Sequence, residues 1–357
     1  MKKSLTVVIM VALALVLVFS GACAKPAPAP TPGEEPIEKV WILRHATYMP
    51  WDHAMRQMLM TFFQDRVTEE TGGRIIFEEF APETLCSAGD QIDALLSGVA
   101  GFTSLDYSHF PLPFVLQLPG YFTDPEMDIA NEALHEIYKS EYLLPEFEKR
   151  GVKYICSFVT PNYQLGLSEE WGPAKSLADF QGAKLKVSGA VLPHTWEALG
   201  ATPVGMTSPE SYDALAKGVI DGTVQPVMSQ DAYPTIELLP YHLLGFTTGG
   251  YPSSQVVSLE MWNKWSPDIQ EIIMRVADET MGPMQASLYV QYEPVLDKWR
   301  EQGKEVYELS DEDKALVKEK TAEVVGTWLT EMEADGYSTV RQVLDMWVAE
   351  MDKRRAG

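Results

Sequence analysis

Lys186, Ser208 and Gln225 fall within one stretch, Leu185 to Val227, that reads LKVSGAVLPHTWEALGATPVGMTSPESYDALAKGVIDGTVQPV. Their types suit capture of an anion rather than its conversion. Lys186 brings a full positive charge to the end of an aliphatic run, and Gln225 an amide to the end of another. Ser208 caps a predicted helix: Pro209 suits its first position, Tyr212, Leu215 and Ala216 make an apolar stripe, and Gly218 can take the left-handed conformation that closes it. The free backbone N–H groups and positive dipole end of that helix would face the same place as Lys186. A strand-end lysine is expected to bury little of itself. Its bland alternative is a surface ion pair with one of the chain's 51 acidic residues.

These residues need elements to hold them. Short strands at Leu185 to Val187, Thr202 to Met206 and Val219 to Val224 alternate with helices at Pro193 to Leu199 and after Ser208. That βαβαβ order implies a parallel sheet, with ligands outside the carboxyl ends of its strands. The N-terminal half repeats it. A strand from Val40 to Ala46 leads through Tyr48, Pro50 and Trp51 into a helix from Asp52 to Thr71, capped by Asp52, lined by Met55, Leu59, Phe62, Phe63 and Val67, and closed by Gly72. A strand at Arg74 to Phe80, a helix at Asp90 to Ser97 and a strand at Phe102 to Ser104 follow. Two α/β halves predict two lobes with a ligand cleft between them. Loops at His45 to Trp51, Thr84 to Ser87 and Leu105 to Tyr107 meet that cleft from one side, and Tyr163, Lys186, Ser208 and Gln225 from the other. Tyr48 and Trp51 serve either as a stacking wall or as a closure of the helix start.

Farther on, residues 126–149 read as helical and Val256 to Leu259 as a strand returning to the first lobe. Pro267 to Gln302 is a long helical run with kinks expected near Gly282-Pro283 and Pro294. A strand at Glu305 to Glu308 and helices at Asp311 to Met332 and Val340 to Arg354 finish the chain. The expected division gives lobe I residues 38–160 with about 252–290, and lobe II residues 161–251 with about 291–357, a length that suffices for two lobes with buried cores and is short for three domains. Repeated crossings make the linkers a hinge.

The succession of a basic short strand, LGATPVGM and SPESYDALAKGVIDG resembles the solute-binding receptors of tripartite ATP-independent periplasmic (TRAP) transporters, the DctP-like family. EKVWILRHATYMPWDHAM, FFQDRVTEETGGRIIFEEFAPETL and LPGYF at 118–122 agree, and the likeness runs from about Val40 to about Met351. It implies a two-lobe periplasmic-binding-protein-like α/β fold, a small organic acid or related polar metabolite as ligand, and TRAP permease subunits as partners. It implies neither catalysis nor a cofactor. Where the family places a carboxylate-binding arginine this chain has Lys186, a point charge without the planar fork. Gln225 matches the family's asparagine after the DG turn. Tyr163 falls near a second basic position of the sialic-acid branch, and Asp106 at that branch's glutamate, although an exposed loop carboxylate is the common fate of aspartate. A sialic-acid ligand is thereby disfavoured.

Residues 1–22 carry Lys2 and Lys3, then an apolar run from Leu5 to Phe19, then small residues before Cys23, the pattern of a secretory signal. Ser-Gly-Ala ahead of a cysteine resembles a lipoprotein processing site, with Ser20 where leucine is usual, so Cys23 is the expected lipidation site. The alternative is an ordinary cut near Ala22 or Ala24. Ala24 to Pro36 holds five prolines, a composition that stays extended over about 40 Å. Residues 23–37 thus read as a lipidated cysteine and its tether, placing the body outside the cytoplasm with only the lipid in the membrane.

The formal charge of −23 becomes −25 once Lys2 and Lys3 are removed (26 basic against 51 acidic residues). Nucleic-acid binders need basic stripes, so that class is excluded. An anionic ligand must be drawn by local potential. Cys86 and Cys156 lie in no C-x-x-C pattern; they either pair or remain half-buried thiols. The histidines, His45, His53, His109, His135, His194 and His242, are scattered singly, so no metal site is expected. Nucleophile-elbow, P-loop, H-E-x-x-H and dinucleotide motifs are absent. Two classes remain, a receptor that hands its ligand to a membrane transporter and an exported hydrolase-like enzyme, with a receptor that signals rather than transports as a weaker third.

Overall fold

A computed structural model describes residues 39–104, 111–207, 210–290 and 292–356. The expected signal, Cys23 and tether, like Asp106 and Ser208, lie outside the described residues. From Val40 onward the chain forms one unit. Its strands are β1 (Trp41–Ala46), β2 (Ile75–Glu79), β3 (Phe102–Ser104), β4 (Val152–Val159), β5 (Gln164–Leu167), β6 (Lys184–Val187), β7 (Thr202–Gly205), β8 (Gly222–Gln225), β9 (Tyr241–Leu244), β10 (Pro252–Ser258) and β11 (Glu305–Glu308). They form two mixed sheets, ordered β2-β1-β3-β10-β4 in lobe I and β11-β9-β5-β8-β6-β7 in lobe II.

Both expected parallel units are present. β1 pairs in parallel with β2 and β3, and β6 with β7 and β8. The antiparallel β10 and β5 complete the sheets. Reading PSSQVVS, β10 is buried along its whole length. Its polar residues are satisfied internally, as where Gln255 Nε2 donates to Ser104 Oγ at 3.0 Å, so polarity there does not signal exposure.

The first helix differs from expectation at its start and in its middle, and closes at Gly72 as expected. His53, not Asp52, caps it, its Nδ1 accepting from the Met55 N–H at 3.3 Å. Helical segments Ala54–Met58 and Asp65–Glu70 flank a π-helical turn at Leu59–Gln64. Such a turn shifts the inward face, and here Gln64 is buried with Nε2 at 3.2 Å from His45 Nδ1. Gly72 and Gly73 take positive φ of 64° and 80° beyond the helix. The helix Pro267–Val290 runs through Gly282-Pro283, where a kink was expected, and Tyr292–Glu301 accommodates Pro294 in its first turn.

The helix Asp311–Ala334 packs on Leu192–Ala198, and Val340–Arg355 packs on Met127–Tyr138. Val343, Trp347 and Met351 form a stripe within the apolar cluster that contains Leu134 and Tyr138. Burial of such side chains contributes about 1.5–3 kcal/mol each. Cys86 is half-buried, Cys156 is buried, and both are free thiols.

Among the segments that carry the chain between the lobes, Thr160 to Tyr163 after β4 and Gly245 to Tyr251 before β10 are tied together. The Thr160 N–H donates to Tyr251 O at 3.0 Å, the Tyr251 N–H to Thr160 Oγ1 at 2.8 Å, and the Gly249 N–H to Asn162 Oδ1 at 2.9 Å. At Gly250 an added Cβ would lie 2.0 Å from Thr160 O, so glycine permits the approach.

Candidate functional site

The carboxyl ends of β6, β7 and β8 open on a cavity of about 360 Å³ between the two sheets. Lobe II contributes Lys186, Gly205 to Thr207, Gln225, Pro226 and Ser229. Lobe I contributes Tyr48, Met49, His53 and Met55 from the β1 loop and the helix start, with Gln91 beside them. Phe158, Thr160, Tyr163 and Tyr251 line it from the crossing segments.

Lys186, Gln225, Tyr163 and Tyr48 are therefore brought together as the sequence suggested. Lys186 differs in one respect: it is 1% exposed, on an inner strand with Val204 and Thr223 in register on either side. Burial lowers its pKa from 10.5 to about 7. It is the single lysine or arginine among the described lining residues. Burial also raises the Tyr163 phenol, with Tyr48 adding to the effect, so Tyr163 is a neutral donor and acceptor.

His45 and Trp51 are not among the lining residues. His45 is buried behind the cavity with Nδ1 2.5 Å from Glu79 Oε1. Arg56 donates to Glu79 Oε2 at 2.8 Å, to Phe80 O at 2.7 Å and to Met49 O at 2.9 Å. Burial alone would raise the Glu79 carboxyl, yet His45, Arg56 and Gln64 together hold it below its usual range. Trp51 stays 45% exposed, with the Arg56 guanidinium 3.6 Å from its ring centre. The network thus fixes the loop whose Tyr48 and Met49 form the wall, and of the two roles weighed for the loop aromatics Trp51 takes the structural one.

The Glu210 carboxylate accepts from the N–H and hydroxyl of Thr207, both at 2.8 Å, ahead of the helix Ser211–Ala216. This is the carboxylate half of a capping-box pairing.

His53 was not singled out by sequence. Its Nε2 lies 3.3 Å from Ser229 Oγ, and its ring meets Tyr233 edge-on with centroids 6.1 Å apart. Burial lowers its pKa to about 4 against the opposing pull of Asp52, so it is neutral. With Nδ1 accepting from Met55, the proton sits on Nε2. Gln91, Ser229 and Tyr251 were likewise missed, since they arrive from elements far apart in the chain. Among the described residues no group of three or more His, Cys, Asp or Glu side chains could hold a metal.

Comparison with known proteins accords with this geometry. A profile described as "Bacterial extracellular solute-binding protein, family 7" (DctP) matches residues 45–331. The chain is 25% identical over 262 residues to the C4-dicarboxylate-binding protein DctB of Bacillus subtilis, covering 71% of this chain and 72% of that one. A TRAP solute-binding protein from Rhodoferax ferrireducens, solved with copurified benzoate, superposes with a TM-score of 0.80 at 23% identity, over 89% of this chain and 99% of that one. A marine-metagenome TRAP solute-binding protein from an unidentified microbe, solved with 3-hydroxybenzoate, gives a TM-score of 0.80 at 20% identity, over 88% and 99%.

Proposed function

This chain belongs to family 7 of the bacterial extracellular solute-binding proteins, and on that premise we propose that it is an extracytoplasmic receptor that encloses a small organic acid and delivers it to a TRAP permease. One observation carries the ligand's charge: Lys186, the single lysine or arginine among the described lining residues, stands buried at the carboxyl end of β6. Its ammonium takes the ligand carboxylate, with the Gln225 amide and the Tyr163 hydroxyl as neighbours. Related receptors have been solved with benzoate and 3-hydroxybenzoate.

The family consists of receptors, and the cavity gives no support to hydrolysis. A serine and a histidine do meet there, but with Nδ1 accepting from the Met55 N–H the Nε2 proton of His53 points to Ser229 Oγ, the reverse of a general base's arrangement.

A charge-assisted hydrogen bond in a water-poor cleft contributes about 1.5–3 kcal/mol, or roughly one to two decades of affinity. Mass spectrometry of natively purified protein identifies the acid, and calorimetry with Lys186→Ala measures the loss. Unchanged affinity would remove Lys186 from the site. The anchor belongs to the same proposal. Lipidated Cys23 holds the receptor at the membrane through the proline-rich tether, and Cys23→Ala should release it to the soluble fraction. Equal membrane partition of both forms would sink that part.

A further inference from the structure

We propose that Ser188 and Thr207 are specificity-determining residues that accept a hydrogen bond from a hydroxyl of the ligand, so that the acid this receptor takes is a hydroxy acid. The inference rests on the receptor function above and extends it to the chemistry of the ligand.

Ser188 and Thr207 stand just past the carboxyl ends of β6 and β7, which pair in parallel with Val187 beside Gly205. Both line the cavity. Ser188 is half-buried and Thr207 exposed, so neither is sealed inside the protein. Their hydroxyl protons are already committed. Ser188 Oγ donates to Met206 O at 3.3 Å, and Thr207 Oγ1 donates to Glu210 Oε2 at 2.8 Å. Neither bond can run the other way. A carbonyl oxygen has no proton to give, and the N–H and hydroxyl of Thr207 hold the Glu210 carboxyl below its usual range, which keeps it an ionised acceptor.

A hydroxyl that has given up its proton offers only lone pairs. Among the described residues nothing donates to either oxygen. Enclosing a ligand displaces the water that serves them, and an acceptor left unserved loses its hydration without return. A donor on the ligand restores the bond. A second carboxylate supplies acceptors alone and would face these lone pairs with more of the same. An ammonium group donates but brings a charge, and no aspartate or glutamate is among the described lining residues to balance it. A hydroxyl donates without charge. It can also accept in turn from Ser229 of the same cavity, whose proton is free because the Nε2 proton of His53 points to its Oγ.

Calorimetry on the ligand-stripped full chain compares pairs of acids that share a carbon skeleton and differ in hydroxyls: propanoate with lactate, succinate with malate, and hexanoate with gluconate. Gluconate carries a hydroxyl on every carbon beyond its carboxylate, so it tests all positions along the chain together. In at least one pair the hydroxy acid should bind about three to ten times more tightly than its partner. In the double variant Ser188→Ala with Thr207→Val that ratio should fall to about one. General damage to the fold would weaken both members of a pair and leave the ratio standing. Thr207→Ala replaces the valine should that variant fail to fold. The inference is overturned if no hydroxy acid exceeds its partner, or if the ratio survives in the double variant. Alanine binding more tightly than lactate would also overturn it, by marking an ammonium as the donor. Each of these results leaves an organic-acid receptor intact, since acids still bind. Failure of every acid to bind would remove both.

Discussion

Replacing Lys186 by methionine should move stability and binding in opposite directions. The folded, ligand-free protein lowers the Lys186 pKa from 10.5 to about 7 through burial. The unfolded chain holds that proton up to the ordinary value, so between these limits unfolding takes up a proton and protonation opposes folding. The penalty is complete below pH 7, shrinks as pH rises, and is gone above 10.5. Each pH unit corresponds to about 1.4 kcal/mol, so the interval amounts to at most roughly 5 kcal/mol. Methionine keeps the length and removes the charge. Lys186→Met should therefore raise the stability of the ligand-free protein at pH 7, and its advantage should fade towards pH 10. Urea unfolding of both proteins at several pH values measures the difference. Binding should respond oppositely, losing one to two decades, because the carboxylate then lacks its cation. In the native protein affinity should be flat below pH 7 and fall about tenfold per unit above it, as the ammonium must be reprotonated to receive the ligand. A variant less stable than the native protein at pH 7, or a stability difference independent of pH, would refute the reasoning.

Asp124 behaves as an acid counterpart. Burial raises its pKa from 3.8 to about 6, so its ionisation destabilises the fold as pH rises through that window; Asp124→Asn, which keeps an acceptor for the Asn162 N–H, should be more stable at pH 7 and equal near pH 4 in thermal unfolding. Arg56→Met leaves Glu79 without its guanidinium and strips the donor from Met49 O, and should cost about 3–5 kcal/mol in urea unfolding; a loss under 1 kcal/mol would deny the network its role. Gly250→Ala forces a Cβ to 2.0 Å from Thr160 O and should cost about 1–3 kcal/mol or more, whereas Gly326→Ala, with nothing within 4 Å, should be neutral or stabilising by up to about 1 kcal/mol.

The parallel units of both lobes were legible because their signals are local: a cap, an apolar period and a closing glycine such as Gly218, with φ of 65°. That Lys186, Gln225, Tyr163 and Tyr48 converge followed from the rule that ligands meet strand carboxyl ends. The misplacement of His45 has a non-local cause. Its partner Glu79 is 34 residues away and Arg56 reaches that carboxylate from 23 residues away, and neither separation leaves a periodic trace. The burial of Lys186 depends on what packs on its face of the sheet, which no reading of LKV alone reveals.

Lobe I is assembled from distant parts of the chain. Its sheet inserts β10 between β3 and β4, and its apolar cluster takes Trp347 and Met351 from the closing helix. The amino-terminal lobe therefore cannot be completed as it is synthesised, because its central antiparallel strand and its outer helix come last. Such long-range closure is slow. A lobe closed in this order stays loose until its last helix has been made, so its rigidity is a property of the finished chain and of no shorter length of it.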